Sequence, residues 1–310
     1  MLWDDFDSGA NGGAVAGPSG GTTPLIHQGN LSGYNEWRRD GGGFYLNDSV
    51  VFSNSSPKAR SSLHARAVFD RDDRWGLNLF VPYSQFTTGN ELYFSFYYRM
   101  RKTGTPFPRQ SKAWIAYNSS FADRAYWSTA YGNCEGSGWR QHLSQVAENY
   151  FGLSGTAIEG EWVRFDTYLK QGAANQSNGT WRQTAYRPSL GTPTKEVKDW
   201  SNIVMRTSSE DWTQWVFGGA YYSMCNAGDN GTIDVDEFYV DSTQARVEVC
   251  NAPTFSGSTR CELEIPTAWS DTSITATFKN GYLSAGTAYV YVINVAGTVN
   301  VAGHAVTIVP

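Results

Sequence analysis

Residues 91–101 carry the pattern that most restricts how this chain can fold. One set of alternating positions is apolar: Leu92, Phe94, Phe96 and Tyr98. The intervening set is more polar: Tyr93, Ser95, Tyr97 and Arg99. Successive side chains of a β-strand point to opposite faces of a sheet, so the alternation predicts a strand with one apolar face.

Similar short runs recur along the chain, separated by turn-forming residues. They predict strands at Leu2–Phe6, Phe44–Phe52, Ser62–Asp70, Glu91–Arg101, Ala113–Tyr117, Gly160–Lys170, Trp181–Tyr186, Trp215–Tyr222 and Thr232–Val240. Aromatic residues make up 15% of the chain and suit a pleated, half-buried surface, while 32 glycines serve the turns. Only 140–150 and 195–205 are candidate helices, and both are interpreted as loop excursions. The predicted class is all-β, with the strand pattern of a β-sandwich or a jelly roll.

Large aromatics become rarer after Asp241, and Val, Ala and Thr replace them. This change predicts a large domain over 1–242 and a small β-domain over 243–310, with about five strands. Cys250 and Cys261 flank a ten-residue loop that a disulfide could close, which would leave Cys134 to pair with Cys225. Two disulfides or four free thiols both remain open, and the extracellular character of the chain favours disulfides.

Charge and hydropathy exclude some partners. The net charge is −5, and no cluster of Lys and Arg suits a nucleic-acid backbone. The sequence contains no run of about 18 apolar residues, so it predicts no membrane span. The opening residues lack the basic and apolar regions of a secretory signal. Either a signal was removed, or the protein leaves the cell by another route, as a virion protein does; the expected location is extracellular or the surface of a virion.

Five segments resemble parts of a known fold. Residues 160–170 (Gly-Glu-Trp-Val-Arg-Phe-Asp-Thr-Tyr-Leu-Lys), 178–182, 215–219 and 233–241 resemble the second half of a concanavalin A-like jelly roll, and 2–9 resemble its first strand. Polysaccharide lyases, laminin-G-like modules and carbohydrate-binding modules share this fold. Residues 250–310, notably Glu264-Ile-Pro-Thr-Ala-Trp, are similar to Ig-like domains of bacterial and phage surface proteins. The resemblance implies a fold more than an activity.

A lyase of this fold needs a Tyr or His base, with Arg, Gln or Asn to stabilise the developing negative charge. The nearest match to the lyase motif is Arg60-Ser-Ser-Leu-His-Ala-Arg66, which lacks its Glu, and the Gln-Ile-His strand is absent. The candidate catalytic set is therefore His64, Arg66, Tyr97 and Arg99, expected on one concave face.

The acidic run Asp234-Val-Asp-Glu suggests two other sites. As a glycoside hydrolase pair it fails, because strand alternation predicts that Glu237 faces away from Asp234 and Asp236. As a structural calcium site, Asp234 or Asp236 would join Asp5 or Asp7 if the first and last strands are neighbours.

Aromatic clusters suggest glycan binding, because sugar rings stack on exposed aromatic faces. The candidates are Tyr126, Trp127, Tyr131, Trp139, Trp212, Trp215, Tyr221 and Tyr222. The competing interpretation is that these rings fill the sandwich core.

The favoured hypothesis is a non-catalytic surface protein, such as a virion decoration, a fibre component or an envelope protein. It would bind a polysaccharide or surface glycan and self-associate or dock on a larger assembly. The second hypothesis is a secreted polysaccharide lyase with an Ig-like accessory domain. A third is a carbohydrate-binding module.

Overall fold

The computed structural model describes residues 2–4, 6–7, 10–12, 36–38, 49–55, 60–69, 78–82, 90–103, 110–118, 123–129, 139–143, 147–150, 160–210, 212, 214–223 and 230–310. Every regular element in this part of the chain is a β-strand, so the all-β class is confirmed. No described helix has the length and hydropathy to cross a membrane.

The first of three antiparallel sheets contains eight strands. In chain order they are β1 (Leu2–Asp4), β3 (Ser49–Ser53), β4 (His64–Phe69), β6 (Glu91–Thr103), β11 (Val163–Lys170), β12 (Gly179–Arg187), β13 (Thr194–Ile203) and β15 (Asn230–Asp241). The spatial order is β13-β12-β11-β6-β15-β4-β3, with β1 also pairing with β15. First and last strands of the jelly roll are thus neighbours, as the resemblance implies.

The second sheet faces the first and contains seven strands. They are β2 (Glu36–Arg38), β5 (Asn78–Pro82), β7 (Gln110–Tyr117), β8 (Arg124–Thr129), β9 (Trp139–Leu143), β10 (Ala147–Tyr150) and β14 (Gln214–Ser223). Their spatial order is β10-β9-β8-β7-β14-β5-β2. The described residues of both candidate helical segments are mainly strands: 140–143 lie in β9, 147–150 form β10, and 195–203 lie in β13.

Aromatic side chains from both sheets form the jelly-roll core. From the first sheet, Phe94, Phe96 and Phe165 are completely buried, as the alternation in 91–101 predicts. From the second sheet, Trp114 and Trp127 meet them. The rings of Phe94 and Trp114 are 5.2 Å apart and nearly perpendicular, a geometry that aromatic quadrupoles favour.

The third sheet contains residues of the small C-terminal region. Its strands are β16 (Arg246–Cys250), β17 (Cys261–Trp269), β18 (Ile274–Thr277), β19 (Gly286–Ile293) and β20 (His304–Ile308), in the order β18-β17-β16-β19-β20. Residues 246–308 therefore form one five-stranded antiparallel sheet; an Ig-like relationship stays a prediction.

The two faces of the third sheet have different roles. On β16, Glu248 contacts the first sheet through Arg164, whereas Val247 and Val249 line an apolar trough of about 790 Å³ on the other side. Trp269 and Phe278 also line the trough and remain partly exposed.

Cys250 and Cys261 form a disulfide between directly paired positions of β16 and β17. The other predicted pair, Cys134 and Cys225, lies outside the described residues. This disulfide closes the loop 251–260. At the end of that loop the backbone oxygen of Cys261 accepts a hydrogen bond from Arg164 of the first sheet.

Replacing both Cys250 and Cys261 by Ser is expected to lower the free energy of unfolding by about 3 kcal/mol. The reason is that a loop of this length gains chain entropy in the unfolded state when the bridge is removed. Urea denaturation of the double variant and the oxidised parent measures the difference. Equal midpoints and slopes would contradict a stabilising role.

Candidate functional site

The outward face of the first sheet carries the candidate lyase residues. Alternation along β4, β6 and β15 turns His64, Arg66, Arg99 and Asp234 away from the jelly-roll core. The two guanidinium groups and the imidazole surround the Asp234 carboxylate. Its oxygens lie 2.7 Å from Nε of Arg66, 2.8 Å from Nε of Arg99 and 3.3 Å from Nε2 of His64.

This cluster is buried rather than open to a substrate. His64 and Asp234 have no exposed surface, and the Trp162 ring packs against both the His64 ring and the Arg99 guanidinium. Burial lowers the pKa of His64, although Asp234 partly opposes this. Burial alone would raise the pKa of Asp234, yet hydrogen bonds from His64 and Arg66 and the charge of Arg99 hold it well below its usual range. The cluster acts as a buried ion-pair network.

Tyr97 does not join this cluster. Its hydroxyl donates a 2.9 Å hydrogen bond to Glu262 of the third sheet, and the whole side chain is buried. His64, Arg66, Tyr97 and Arg99 therefore share one face of the first sheet, as predicted, but His64, Tyr97 and Arg99 are buried there and are not open to a substrate. Polar residues alternate on this face because their partners are other protein groups, not solvent.

Arg60 connects the two parts of the chain through acidic residues. Its guanidinium lies 3.2 Å from Glu237 and 3.4 Å from both Glu262 and Glu264. Glu262 also accepts a hydrogen bond from the backbone N–H of Tyr282. The neighbouring Gly281, at φ +51°, permits this approach, because a Cβ there would lie 2.2 Å from the Glu262 carboxyl carbon.

A bulge in β15 explains why Glu237 belongs to this network. The register with β6 shifts between Asp236 and Tyr239, and Glu237 adopts a φ of 50°. The extra residue turns Glu237 toward Arg60 and Ser61, on the side that Asp234 also occupies. The prediction that Glu237 faces the opposite side was wrong, because simple alternation fails at a bulge.

A second buried network surrounds Arg164 on β11. Its guanidinium contacts Asp166 at 2.8 Å, Glu248 of the third sheet at 3.1 Å and the backbone oxygen of Cys261 at 2.7 Å. Arg246 adds a 2.6 Å bond to Glu248. Burial would raise the pKa of Glu248, but the two guanidinium groups hold it below its ordinary value.

Among the described residues, Asp7, Asp234 and Asp236 do not form a group with metal-ligand spacing, and a structural calcium ion stays a prediction. Asp234 is surrounded by cationic groups, whereas Asp7 accepts hydrogen bonds from the Ser62 and Leu63 backbone N–H groups. Asp236 accepts the Glu237 N–H, and Asp5 lies outside the described residues. The one described group with metal-ligand spacing is Glu248, Cys250 and Cys261, whose cysteines are oxidised to the disulfide. Glu248, Cys250 and Cys261 do not fit a calcium ion, because calcium prefers oxygen ligands.

Three predicted glycan-binding residues belong to the core instead. Trp127, Trp139 and Trp212 have no exposed surface, so their rings offer no face to a sugar. For Trp215, Tyr221 and Tyr222 the structure describes the backbone of β14, and Tyr131 lies outside the described residues.

Tyr126 is the exception, because it lies on the outward face of the second sheet and is partly exposed. Its ring stacks on the ring of His142 from β9 at 4.1 Å between centroids. Nζ of Lys112, on β7, lies 5.2 Å from the Tyr126 centroid. These three half-buried side chains, which we call the Lys–Tyr–His face, bring a cation, a phenol and an imidazole together.

Backbone register extends this face along the sheet. Lys112 pairs with Tyr221 of β14 and with Ser128 of β8, which in turn pairs with Arg140. Sequence reasoning missed Lys112 and His142. Alternation in Trp139-Arg-Gln-His-Leu143 was the available signal: Trp139, Gln141 and Leu143 are buried, while His142 lies on the outward face.

Comparison with known proteins shows similarity of fold. No family model matches the sequence, and no curated protein is significantly similar to it. Among solved structures, alginate lyase Aly36B matches with 12% identity and a TM-score of 0.49, covering 77% of this chain and 96% of that one.

Two further structures match with lower TM-scores. The PL-14 alginate lyase from Aplysia kurodai matches with 10% identity and a TM-score of 0.45, covering 63% and 88% of the two chains. Lectin II from Ulex europaeus matches with 8% identity and a TM-score of 0.40, covering 77% and 97%. Identities and scores this low transfer no activity to this chain.

Replacing Arg164 by Ala is expected to lower the free energy of unfolding by about 3–5 kcal/mol, because it removes the ion-pair partner of buried Asp166 and leaves buried Glu248 with Arg246 alone. The matched control is Arg182→Ala on the adjacent strand, where an exposed ion pair with Asp199 predicts a loss of at most about 1 kcal/mol. Denaturant unfolding of both variants checks the contrast. Similar losses would contradict the assigned role.

The buried carboxyl group of Glu264 is expected to make the stability of the protein depend on pH. Burial, helped by Glu262 and opposed by Arg60, raises its pKa from 4.5 to about 8. Between these values the unfolded state loses the proton and the folded state keeps it, so the free energy of unfolding falls as pH rises.

Glu264→Gln should remove this component, which amounts to as much as about 4 kcal/mol between about pH 5 and about pH 8. Thermal or urea unfolding across that range measures the difference in slope from the parent. Glu210→Gln, at an exposed position, is the control. Parallel curves for the parent and Glu264→Gln would show that Glu264 is ionised in the folded protein.

Proposed function

We propose that the protein binds an anionic polysaccharide on the Lys–Tyr–His face and cleaves it by β-elimination. The observation that carries this proposal is the stack of Tyr126 on His142 beside the Lys112 ammonium. These groups are partly exposed, in contrast to the buried networks on the first sheet.

The chemistry of uronate cleavage requires these types of group. A base removes the C5 proton beside the sugar carboxylate, and those electrons form the C4–C5 double bond. The C4–O bond to the leaving sugar then breaks, and an acid protonates the departing oxygen. A nearby cation stabilises the negative charge that develops on the carboxylate.

We assign these roles from side-chain chemistry. An imidazole is able to accept a proton near neutral pH, so His142 is the proposed base. A phenol carries a proton to donate, so Tyr126 is the proposed acid. Lys112 is the proposed partner of the substrate carboxylate. Half-buried positions suit these roles, because electrostatic interactions are stronger where water is partly excluded.

The hypothesis of a non-catalytic surface protein shares the binding step but predicts no product. The more specific versions of that hypothesis, in which the protein is a virion decoration or a fibre component at an extracellular or virion surface, stay predictions. The aromatic stack itself favours glycan binding in either case, because a partly exposed ring offers a platform to a sugar.

Tyr126→Phe and His142→Asn are each expected to lower kcat/KM at least about 100-fold, the usual contribution of a positioned acid or base. The measurement is ultraviolet absorbance of unsaturated product across a panel of anionic polysaccharides. Tyr289→Phe and His304→Asn, on the third sheet, are matched controls that should keep full activity.

The outcomes separate the hypotheses. Binding by the parent without any unsaturated product would support the non-catalytic protein. If activity survives in Tyr126→Phe and His142→Asn but is lost in His64→Ala, the catalytic site lies on the first sheet instead. Neither binding nor product with any uronate polymer would overturn the proposal.

A further inference from the structure

A second cavity lies between the outward face of the first sheet and the loops of the third sheet. Its volume is about 310 Å³. Its walls come from β6, β11, β12 and β13 on one side, and from Gln244, Phe255 and Gly297 on the other. Small-molecule sites often occur at such boundaries and begin at about this size. We call it the intersheet cleft.

Aromatic rings form much of the cleft wall. Tyr168 and Tyr186 contribute from neighbouring strands of the first sheet, and Phe255 contributes from the loop after β16. Apolar ring faces of this kind pack well against the C–H face of a sugar, while a few polar groups fix its orientation.

Lys195 supplies a cation that is not held in an ion pair, although Glu248 and Asp166, which also lines the cleft, favour its charged form. Its Nζ donates a 2.9 Å hydrogen bond to the Phe255 backbone oxygen and lies over the rings of Phe255 and Tyr186, at 4.4 and 5.3 Å. No described carboxylate forms an ion pair with it. The arginines that line the cleft differ, because Arg182 pairs with Asp199 and Arg246 pairs with Glu248.

An ammonium group has three donors, and the Phe255 oxygen uses one of them. Two donors of Lys195 therefore remain for a ligand. Burial lowers the pKa of Lys195, so an anion bound there would restore the preference for the charged form.

Tyr93 provides a polar group that the protein leaves unsatisfied. It lines the cleft, is 2% exposed, and its hydroxyl has no hydrogen-bond partner among the described residues. A buried hydroxyl without a partner is costly, so a ligand that supplies one is favoured.

We propose that the intersheet cleft binds one uronate residue of an anionic polysaccharide, with its carboxylate on Lys195, its ring against Tyr168 and Phe255, and a hydroxyl on Tyr93. The ligand class rests on the proposed function. The site itself is separate from the Lys–Tyr–His face, because it lies on the outward face of the other sheet. It anchors the polymer without contributing to its cleavage.

The test is isothermal titration calorimetry in a His142→Asn background, which prevents cleavage during the measurement. The probes are short oligomers of glucuronate, mannuronate and galacturonate, with a neutral cello-oligosaccharide as the control. Two sites are expected for at least one uronate oligomer. Lys195→Met should remove one site, and Lys112→Met should remove the other.

Lys198→Met, three residues along β13 and exposed, is the matched control and should keep both sites. Tyr93→Phe should weaken the cleft site about five-fold, the value of one hydrogen bond, without lowering stability. Because its hydroxyl has no protein partner, this variant separates binding from folding even if Lys195→Met unfolds.

The two proposals fail in different ways. Loss of a site in Lys112→Met but not in Lys195→Met or Tyr93→Phe would overturn the cleft and keep the proposed function. The reverse pattern would keep the cleft and overturn the Lys–Tyr–His face as the binding surface. Equal affinity for the neutral oligosaccharide would overturn the role of Lys195, and no uronate binding would overturn both.

Discussion

Charge pairing between the first and third sheets is the constraint on which the rest of this structure depends. Arg60 and Arg164 are almost completely buried, and each meets acidic residues from both parts of the chain. Moving an unpaired guanidinium out of water is very costly, so burial of Arg164 depends on Asp166 together with Glu248, and burial of Arg60 depends on Glu237 together with Glu262 and Glu264. The third sheet must therefore dock in one position, and that docking leaves the second sheet to present the open face of the jelly roll.

Alternation along the strands predicted the core well but not what covers the opposite face. Phe94 and Phe96 face the core, as their positions in 91–101 indicate. Ser95 and Arg99 also face the way the pattern predicts, yet both are buried. Alternation indicates which face of a strand is polar. It does not record that the polar partner of Ser95 is Asp166, 71 residues away, or that a further sheet lies above it.

The site was harder to predict for two local reasons. Residues 140–150 are short and mostly polar, with two charged side chains and one imidazole, a composition that fits a loop or a helix as well as a strand. The pairing of β9 with β8 places His142 opposite Tyr126, and only that long-range register creates the stack. At Glu237 a bulge reversed the predicted direction of the side chain, because one extra residue shifts the period-two pattern.

The buried networks also bear on how such a protein could change over evolutionary time. A C-terminal region that joins its neighbour only by a flexible linker is exchanged freely between proteins. Here Cys261, Glu248 and Glu262 complete hydrogen bonds and ion pairs that begin on the jelly roll. Recombination that replaced the last 65 or so residues would remove acidic partners of arginines that are buried in the interface. The two parts are therefore expected to be inherited together as a single unit.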